Sequence, residues 1–321
     1  MDSRIVTMDL HSHVIEKKVK GKDYWKHAGR LGIDVMAITE HAHFDTKKAF
    51  ERVNREKTKN KLLVPGVELN TAIGHVLCYS PDDRVYSLRR LHEFEIPIEE
   101  ALDIAKANGM VLSCAHPWGY TQDSAAFLIG PKKLAVLVRK HPLGIEAFNG
   151  MIGHLGDIVY ESGWVRRPNN FLSFLQKNRV TRKIGAGRVG EQLQKSLDRM
   201  VYSYLNRITA SIELGELASF ITAGSDAHSP DRIGEGMLKM RTKNEITNAA
   251  DVLELIQRKQ DVVWCGMGVT EISPGVYKKI SPHKIKRMEL VEGIKYMAMQ
   301  KIRQKVIADN KKRAQSRRGP K

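Results

Sequence analysis

At 321 residues, 42% of them hydrophobic and 28% charged, the chain can bury a sizeable core and is excluded from the disordered class. It carries 53 Lys+Arg against 36 Asp+Glu, a formal charge of +17, and the excess is uneven: residues 278–321 hold a net +12, residues 162–190 a net +7, and the remainder is close to neutral. Cys78, Cys114 and Cys265 lie far apart, which excludes a disulfide framework or zinc ribbon, and no apolar run approaches the roughly 18 residues of a membrane span. The opening MDSRIVTMDLHSH has no apolar leader, so the expectation is a soluble cytoplasmic protein with buried thiols and no membrane partner.

In chain order, β-rich runs at Ile5–Asp9, Val35–Thr39, Leu62–Leu69, Gly74–Tyr79, Met110–Ala115 and Ile145–Phe148 alternate with amphipathic stretches. Those stretches, Asp45–Lys59, Pro97–Asn108 and Lys132–Lys140, have helical periodicity, so the pattern predicts a largely parallel sheet with helices outside. A basic detour over 150–210 holds Pro168, a glycine cluster and a helical pattern from Glu191 to Arg207, and is read as an insertion or subdomain. The β pattern resumes at Phe220–Ala223, followed by a helix near Ala250–Lys259 and a strand near Val262–Cys265. Residues 1–149 and 211–275 therefore form the predicted body, 276–310 a basic C-terminal segment with a helix over Pro282–Ala308, and 311–321 a flexible basic tail.

Histidines and acids cluster where these strands end. His11 and His13 follow the first strand, Glu40 and His41 the second, and Glu68 ends the third; His75 opens the fourth, His116 closes the fifth, and Asp226 and His228 follow Phe220–Ala223. Strand ends of a parallel barrel share one mouth, and i, i+2 spacing in extended chain points both side chains to one side. Six imidazoles converging with carboxylates are what a site for several metal ions requires: neutral nitrogen donors, with anionic oxygens to offset the cations.

DLHSH at Asp9–His13, ITEH at Ile38–His41, GVE at Gly66–Glu68, GHVL at Gly74–Leu77, AHP at Ala115–Pro117 and GSDAH at Gly224–His228 together resemble the PHP (polymerase and histidinol phosphatase) superfamily. The resemblance implies a distorted seven-stranded β/α barrel of TIM-like type holding two or three divalent ions (zinc, manganese or iron) that hydrolyse a phosphate ester through a metal-bridging hydroxide. It implies that His11, His13, Glu68 and Asp226 bind a first metal. Glu68 would bridge to a second, held also by His75 and His116. His41 and His228 would bind a third metal or act as catalytic proton donors to the phosphate. The third site's remaining ligand is replaced by Lys18 and Val19 here, with Glu16 or Asp23 as substitutes, and two ions are expected to bind more tightly than the third. Asp9 and Glu40 would orient ligands from behind. Amidohydrolases share the HxH pair and the last aspartate, but GVE followed by GHVL and the paired His228 favour the PHP reading.

The basic segments point to a phosphorylated substrate, a nucleotide or single-stranded nucleic acid, with Arg182 and Arg188 as substrate contacts. An RNA-associated scaffold that keeps the barrel without catalysis is the alternative reading. Gly185-Ala-Gly187-Arg-Val-Gly190 has the letters of a dinucleotide loop but no preceding strand, so a plain glycine turn is favoured. Phe171, Phe174 and Leu175 have the spacing of a short helix's buried stripe, favoured over stacking positions for bases. His43, Trp118 and Tyr120 are expected near the mouth.

Overall fold

The computed structural model describes residues 3–15, 18–119, 123–154, 163–183, 185–273 and 276–279. The chain divides into two compact units, 1–281 and 282–321, and the second, with the expected basic helix and tail, lies outside the described residues.

Strand β1 (Arg4–Asp9) leads through α1 (Gly21–Arg30) to β2 (Val35–Ile38), and α2 (Thr46–Asn54) leads to β3 (Leu62–Thr71). A tight turn at Ala72 and Ile73 reverses the chain into β4 (Gly74–Tyr79), after which α3 (Ile98–Ala107), β5 (Val111–Cys114), α4 (Ala125–Leu128), α5 (Pro131–Lys140) and β6 (Leu143–Asn149) follow. Helices α6 (Gly163–Lys177), α7 (Arg179–Lys183) and α8 (Ala186–Leu217) fill the detour. Then come β7 (Ile221–Gly224), β8 (Gly236–Thr242), α9 (Ala249–Ile256), β9 (Val262–Met267) and a hairpin of β10 (Val269–Ser273) and β11 (Val276–Lys279).

The main sheet has nine strands rather than the expected seven, in the order β7-β6-β5-β4-β3-β2-β1-β8-β9. Beyond β1 the sheet is extended by β8, which pairs antiparallel with β1, and by β9, which pairs antiparallel with β8. Strand β8 covers Arg4–Met8, and beyond it the freed edge of β1 meets the end of β7: Leu10 N donates to Ala223 O at 3.1 Å and Asp226 N to His11 O at 2.7 Å. These bonds nearly close the sheet into a barrel. The sheet is also less parallel than expected, because β4 runs antiparallel to both neighbours. Two turn residues cannot span the crossover that a parallel return requires.

Both faces of β2 are buried: Val35 and Ala37 join one apolar cluster, Met36 and Ile38 another that includes Tyr24, Trp25 and Ala28 of α1. Helix α1 has no counterpart in the expected elements, since lysines and glycines break up its apolar stripe. Trp25 Nε1 anchors it by donating to Val53 O at 2.8 Å. Strand β8 was likewise unexpected, and Val276–Lys279, placed in the basic segment, are a strand. Cys78 and Cys114 are buried and free, and burial pushes both thiols up to about 12, which makes them inert. Among the described residues no helix is long and apolar enough to cross a membrane.

Where β6 passes Phe220, a Cβ on Gly144 would lie 2.3 Å from the phenyl ring, which is 2% exposed. Gly144→Ala is therefore expected to destabilise the fold by about 1–3 kcal/mol in urea unfolding, with Phe220→Leu recovering part of the loss in the same background.

Candidate metal centre

The reversal at β4 explains the positions of the histidines. Strands β1, β2, β3, β5 and β7 deliver their groups from their carboxyl ends, whereas the antiparallel β4 delivers His75 from its start. All eight expected ligands thus meet at one mouth. His11 and His13 turn their Nε2 atoms toward each other at 3.1 Å. The Nδ1 atoms on the far sides of the rings lie 2.9 Å from Glu146 Oε1 and 3.3 Å from Glu40 Oε1.

Glu68, 2% exposed, sits among the imidazoles. Its Oε2 is 2.7 Å from His41 Nδ1, and its Oε1 is 2.9 Å from His75 Nδ1 and 3.1 Å from His116 Nε2. Asp226 Oδ1 is 3.2 Å from His13 Nε2 and 3.6 Å from His11 Nε2. Three sets of donors lie within 4.8 Å of one another: His11, His13 and Asp226; His41, Glu68 and His75; and His13, His41 and His228. His41 and His13 each belong to two of them, so the donors are shared more widely than the expected division into separate sets. Asp23 is exposed in the first turn of α1 and joins none of these sets; Glu16 lies outside the described residues.

Two observations fit this mouth to metal ions. Glu68 Oε2 and His75 Nδ1 are buried without a hydrogen-bond partner of proper geometry, although charged or polar atoms surround them. When Glu146 and Glu40 accept the Nδ1 protons, the Nε2 lone pairs of His11 and His13 face each other, an arrangement that needs a cation. The backbone is strained at two of the expected ligands, His116 with φ 25° and Asp226 with φ 53°. Gly224, the first residue of the last motif, permits the approach of His11: a Cβ there would lie 2.3 Å from His11 Cβ.

Burial alone would keep these imidazoles neutral, but the carboxylates outweigh it. Glu68 pushes His41 up to about 9, and Glu68 with Asp123 pushes His116 to about 9. Conversely, burial would raise the carboxyls, yet His75, His41 and His11 hold Glu68 well below its ordinary range, and His11 and His13 do the same for Asp226. Glu40 is brought down to about 2 against its burial, chiefly by His13, with Ile15 N and Val14 N donating at 2.6 and 2.9 Å. Asp9 differs: burial raises it to about 6, and it accepts from Ser225 N and Gly234 N, each at 2.8 Å. It thereby ties the last motif to β1 without touching the donor atoms.

Glu146 was missed from the sequence. Besides holding His11, it accepts from His116 N at 2.7 Å and from Asn149 Nδ2 at 3.0 Å, and Asn149 Nδ2 also donates to Asp226 Oδ2 at 3.3 Å. The available signal was a lone acid inside the apolar run LGIEAF, since a buried charge needs partners. His43 stacks on His41 with ring centres 5.3 Å apart, Trp118 packs at the edge of the core, and Tyr120 lies outside the described residues. Arg182 and Arg188 are exposed on α7 and the first turn of α8, apart from the donor sets. The glycine motif follows helix α7 rather than a strand, so no dinucleotide fold forms there. Phe171 and Phe174 are 60% and 55% exposed, against the expectation of a buried stripe; Leu172 is the buried member instead.

The pH dependence follows from these shifts. Without metal, protonated His41 and His116 contribute stability that is complete below their ordinary value of 6.5 and lost as pH rises through about 9. The Tm of the chelated protein should fall between pH 7 and 9. Mn²⁺ uptake at pH 7 should release protons, read as a dependence of the calorimetric heat on buffer ionisation enthalpy, and affinity should rise with pH over the same interval. Uptake without proton release would mean that these imidazoles are not ligands.

Residues 217–260 match the model of a PHP-associated family. A search of curated proteins gave no match. Among solved structures the chain is similar to PsfC from Pseudomonas syringae, at 15% identity over 79% of this chain and 90% of that one, with a TM-score of 0.47. It is also similar to a two-domain protein from Bacteroides vulgatus containing a predicted PHP-like metal-dependent phosphoesterase, at 17% identity over 80% of this chain and 64% of that one, with a TM-score of 0.43. Likenesses this distant carry no weight for activity. The matched segment encloses the GSDAH motif, and the groups of the other motifs gather beside it at one mouth.

Proposed function

We propose that the protein is a metal-dependent phosphoesterase that hydrolyses a phosphate mono- or diester. The observation that carries this reading is Glu68: a buried carboxylate with one oxygen lacking a hydrogen bond of proper geometry, surrounded by five imidazoles within about 4 Å, and serving no folding purpose that a neutral residue would not serve better. Bound divalent ions would lower the pKa of water toward neutrality and offset charge on the phosphoryl oxygens.

The chain's own residues do the rest. His11, His13, Glu68, His75, His116 and Asp226 would hold two ions, and His41 with His228 a third. Glu146 and Glu40 keep the rings of His11 and His13 fixed, so little reorganisation is needed when charge develops. His41 and His228 keep 20% and 15% of their side chains exposed, whereas His11 and His13 are fully buried. These two outer imidazoles are suited to donate a proton to the leaving oxygen. The cationic surface, including Arg182 and Arg188, supports a nucleotide or nucleic acid as substrate.

Glu68→Gln removes the central charge while keeping the shape. Elemental analysis should show loss of bound metal, and hydrolysis of a generic aryl phosphate diester with Mn²⁺ should fall by about 100-fold or more. Full metal content with wild-type turnover in this variant would refute the site, and absence of hydrolysis by the metal-loaded wild type on any phosphoester would favour the scaffold reading. Glu146→Gln keeps one acceptor for His11 and should weaken metal binding by about 10–100-fold.

A further inference from the structure

Outside the barrel mouth, a cavity of about 640 Å³ lies between the β1–α1 loop, the start of α1 and one side of α2. Six cations line it, Lys18, Lys20, Lys22, Lys48, Arg52 and Arg55, against two acids, Asp45 and Glu56. The Asp45 carboxylate is already engaged by Lys48 N at 3.0 Å as the cap of α2. Arg52, half-buried, is steadied by Val19 O at 3.3 Å. Among the described residues Lys18, Lys20, Lys22, Lys48 and Arg55 have no ion-pair partner, and with six cations against two acids the lining keeps an excess of positive charge.

The cavity is built into the fold. Gly21 lets α1 touch α2 directly, since a Cβ there would lie 2.5 Å from Arg52 O. The loop that supplies Lys18 and Lys20 starts immediately after His13, and Val14 N and Ile15 N anchor it to Glu40, the carboxylate that also holds His13. Gathering unpaired cations costs folding free energy through mutual repulsion, which a polyanionic ligand relieves.

We infer that this cavity binds phosphate groups of a multiply phosphorylated substrate other than the phosphate that is hydrolysed. Either a nucleic-acid strand or a small bisphosphate offers this chemistry. That the ligand is a substrate rests on the phosphoesterase reading; that the cavity binds phosphate does not.

The test uses the metal-loaded full chain and two probes. One is a fluorescent single-stranded oligonucleotide with phosphorothioate linkages that resist turnover; the other is the bisphosphorothioate analogue of 1,6-hexanediol bisphosphate, chosen for the same resistance. Lys48→Glu with Arg55→Glu is compared with Lys132→Glu and Lys133→Glu, an equal charge change on exposed positions of α5. Loss of two strand contacts should flatten the slope of log K against log[salt] by about 1.4 and weaken binding by about tenfold or more at low salt. The α5 variant should change binding less than about twofold. Lys48→Ala with Arg55→Ala should shift binding in the same direction by a smaller amount. Loss confined to the oligonucleotide identifies a strand, loss confined to the bisphosphate a small molecule, and both outcomes support the inference. Equal losses in the two charge-reversed variants, no loss in either, or no binding of either probe by the wild type would overturn it. Because no turnover is measured, these results are independent of the Glu68→Gln assay.

Discussion

A carboxylate buried to 2% exposure cannot remain charged without nearby positive charge, and Glu68 is placed where that requirement shapes everything around it. In the metal-free protein, protons on His41 and His116 supply the charge, and the carboxylates push both imidazoles up to about 9 in spite of burial. The same atoms that take up protons are those a divalent ion would use. Metal and proton are therefore alternative answers to one electrostatic demand, and pH and metal binding have to be coupled.

The fold meets this demand with groups from distant parts of the chain. The i, i+2 spacing of His11 and His13 presents both rings on one side of extended backbone. Reversal of β4 brings His75 to the same end from the opposite chain direction. At His116 and Asp226 the backbone adopts positive φ, a conformation that costs free energy and persists because neighbouring bonds over-determine it. Asp226 N is held by His11 O, and His116 N by Glu146 Oε2, so each strained residue is tied to the ring system it serves. Glu146 links His11, His116 and Asn149 in one network, and through Asn149 it reaches Asp226.

Charge outside the mouth is arranged differently. At the centre, cations and anions alternate within 4 Å; in the cavity between α1 and α2, cations stand together with little compensation. The first pattern suits metal ions, and the second suits an anion. Exposed Phe171 and Phe174 on α6 add apolar surface to another basic stretch, where the expected helical stripe was displaced by one position to Leu172.

The sequence alone determined the positions of β1 to β7 and of β9, and the identities of the eight groups expected at strand ends, because hydrophobic periodicity and residue chemistry are local properties. HxH spacing, GVE and GSDAH could be read without coordinates. Strand direction and number could not: a two-residue turn before β4 reverses the sheet, and β8 becomes a strand by pairing with β1 across more than 200 residues. Helix α1 was hidden because burial of Tyr24 and Trp25 comes from α2 and the last motif, not from its own periodicity. Glu146 looked like an ordinary strand residue until tertiary structure placed His11, His116 and Asn149 around it. The cationic cavity was likewise invisible, since Lys18, Lys20 and Lys22 converge with Lys48, Arg52 and Arg55 only where Gly21 lets two helices touch. Local chemistry is written along the chain, whereas pairing partners and electrostatic surroundings depend on contacts between residues far apart in it.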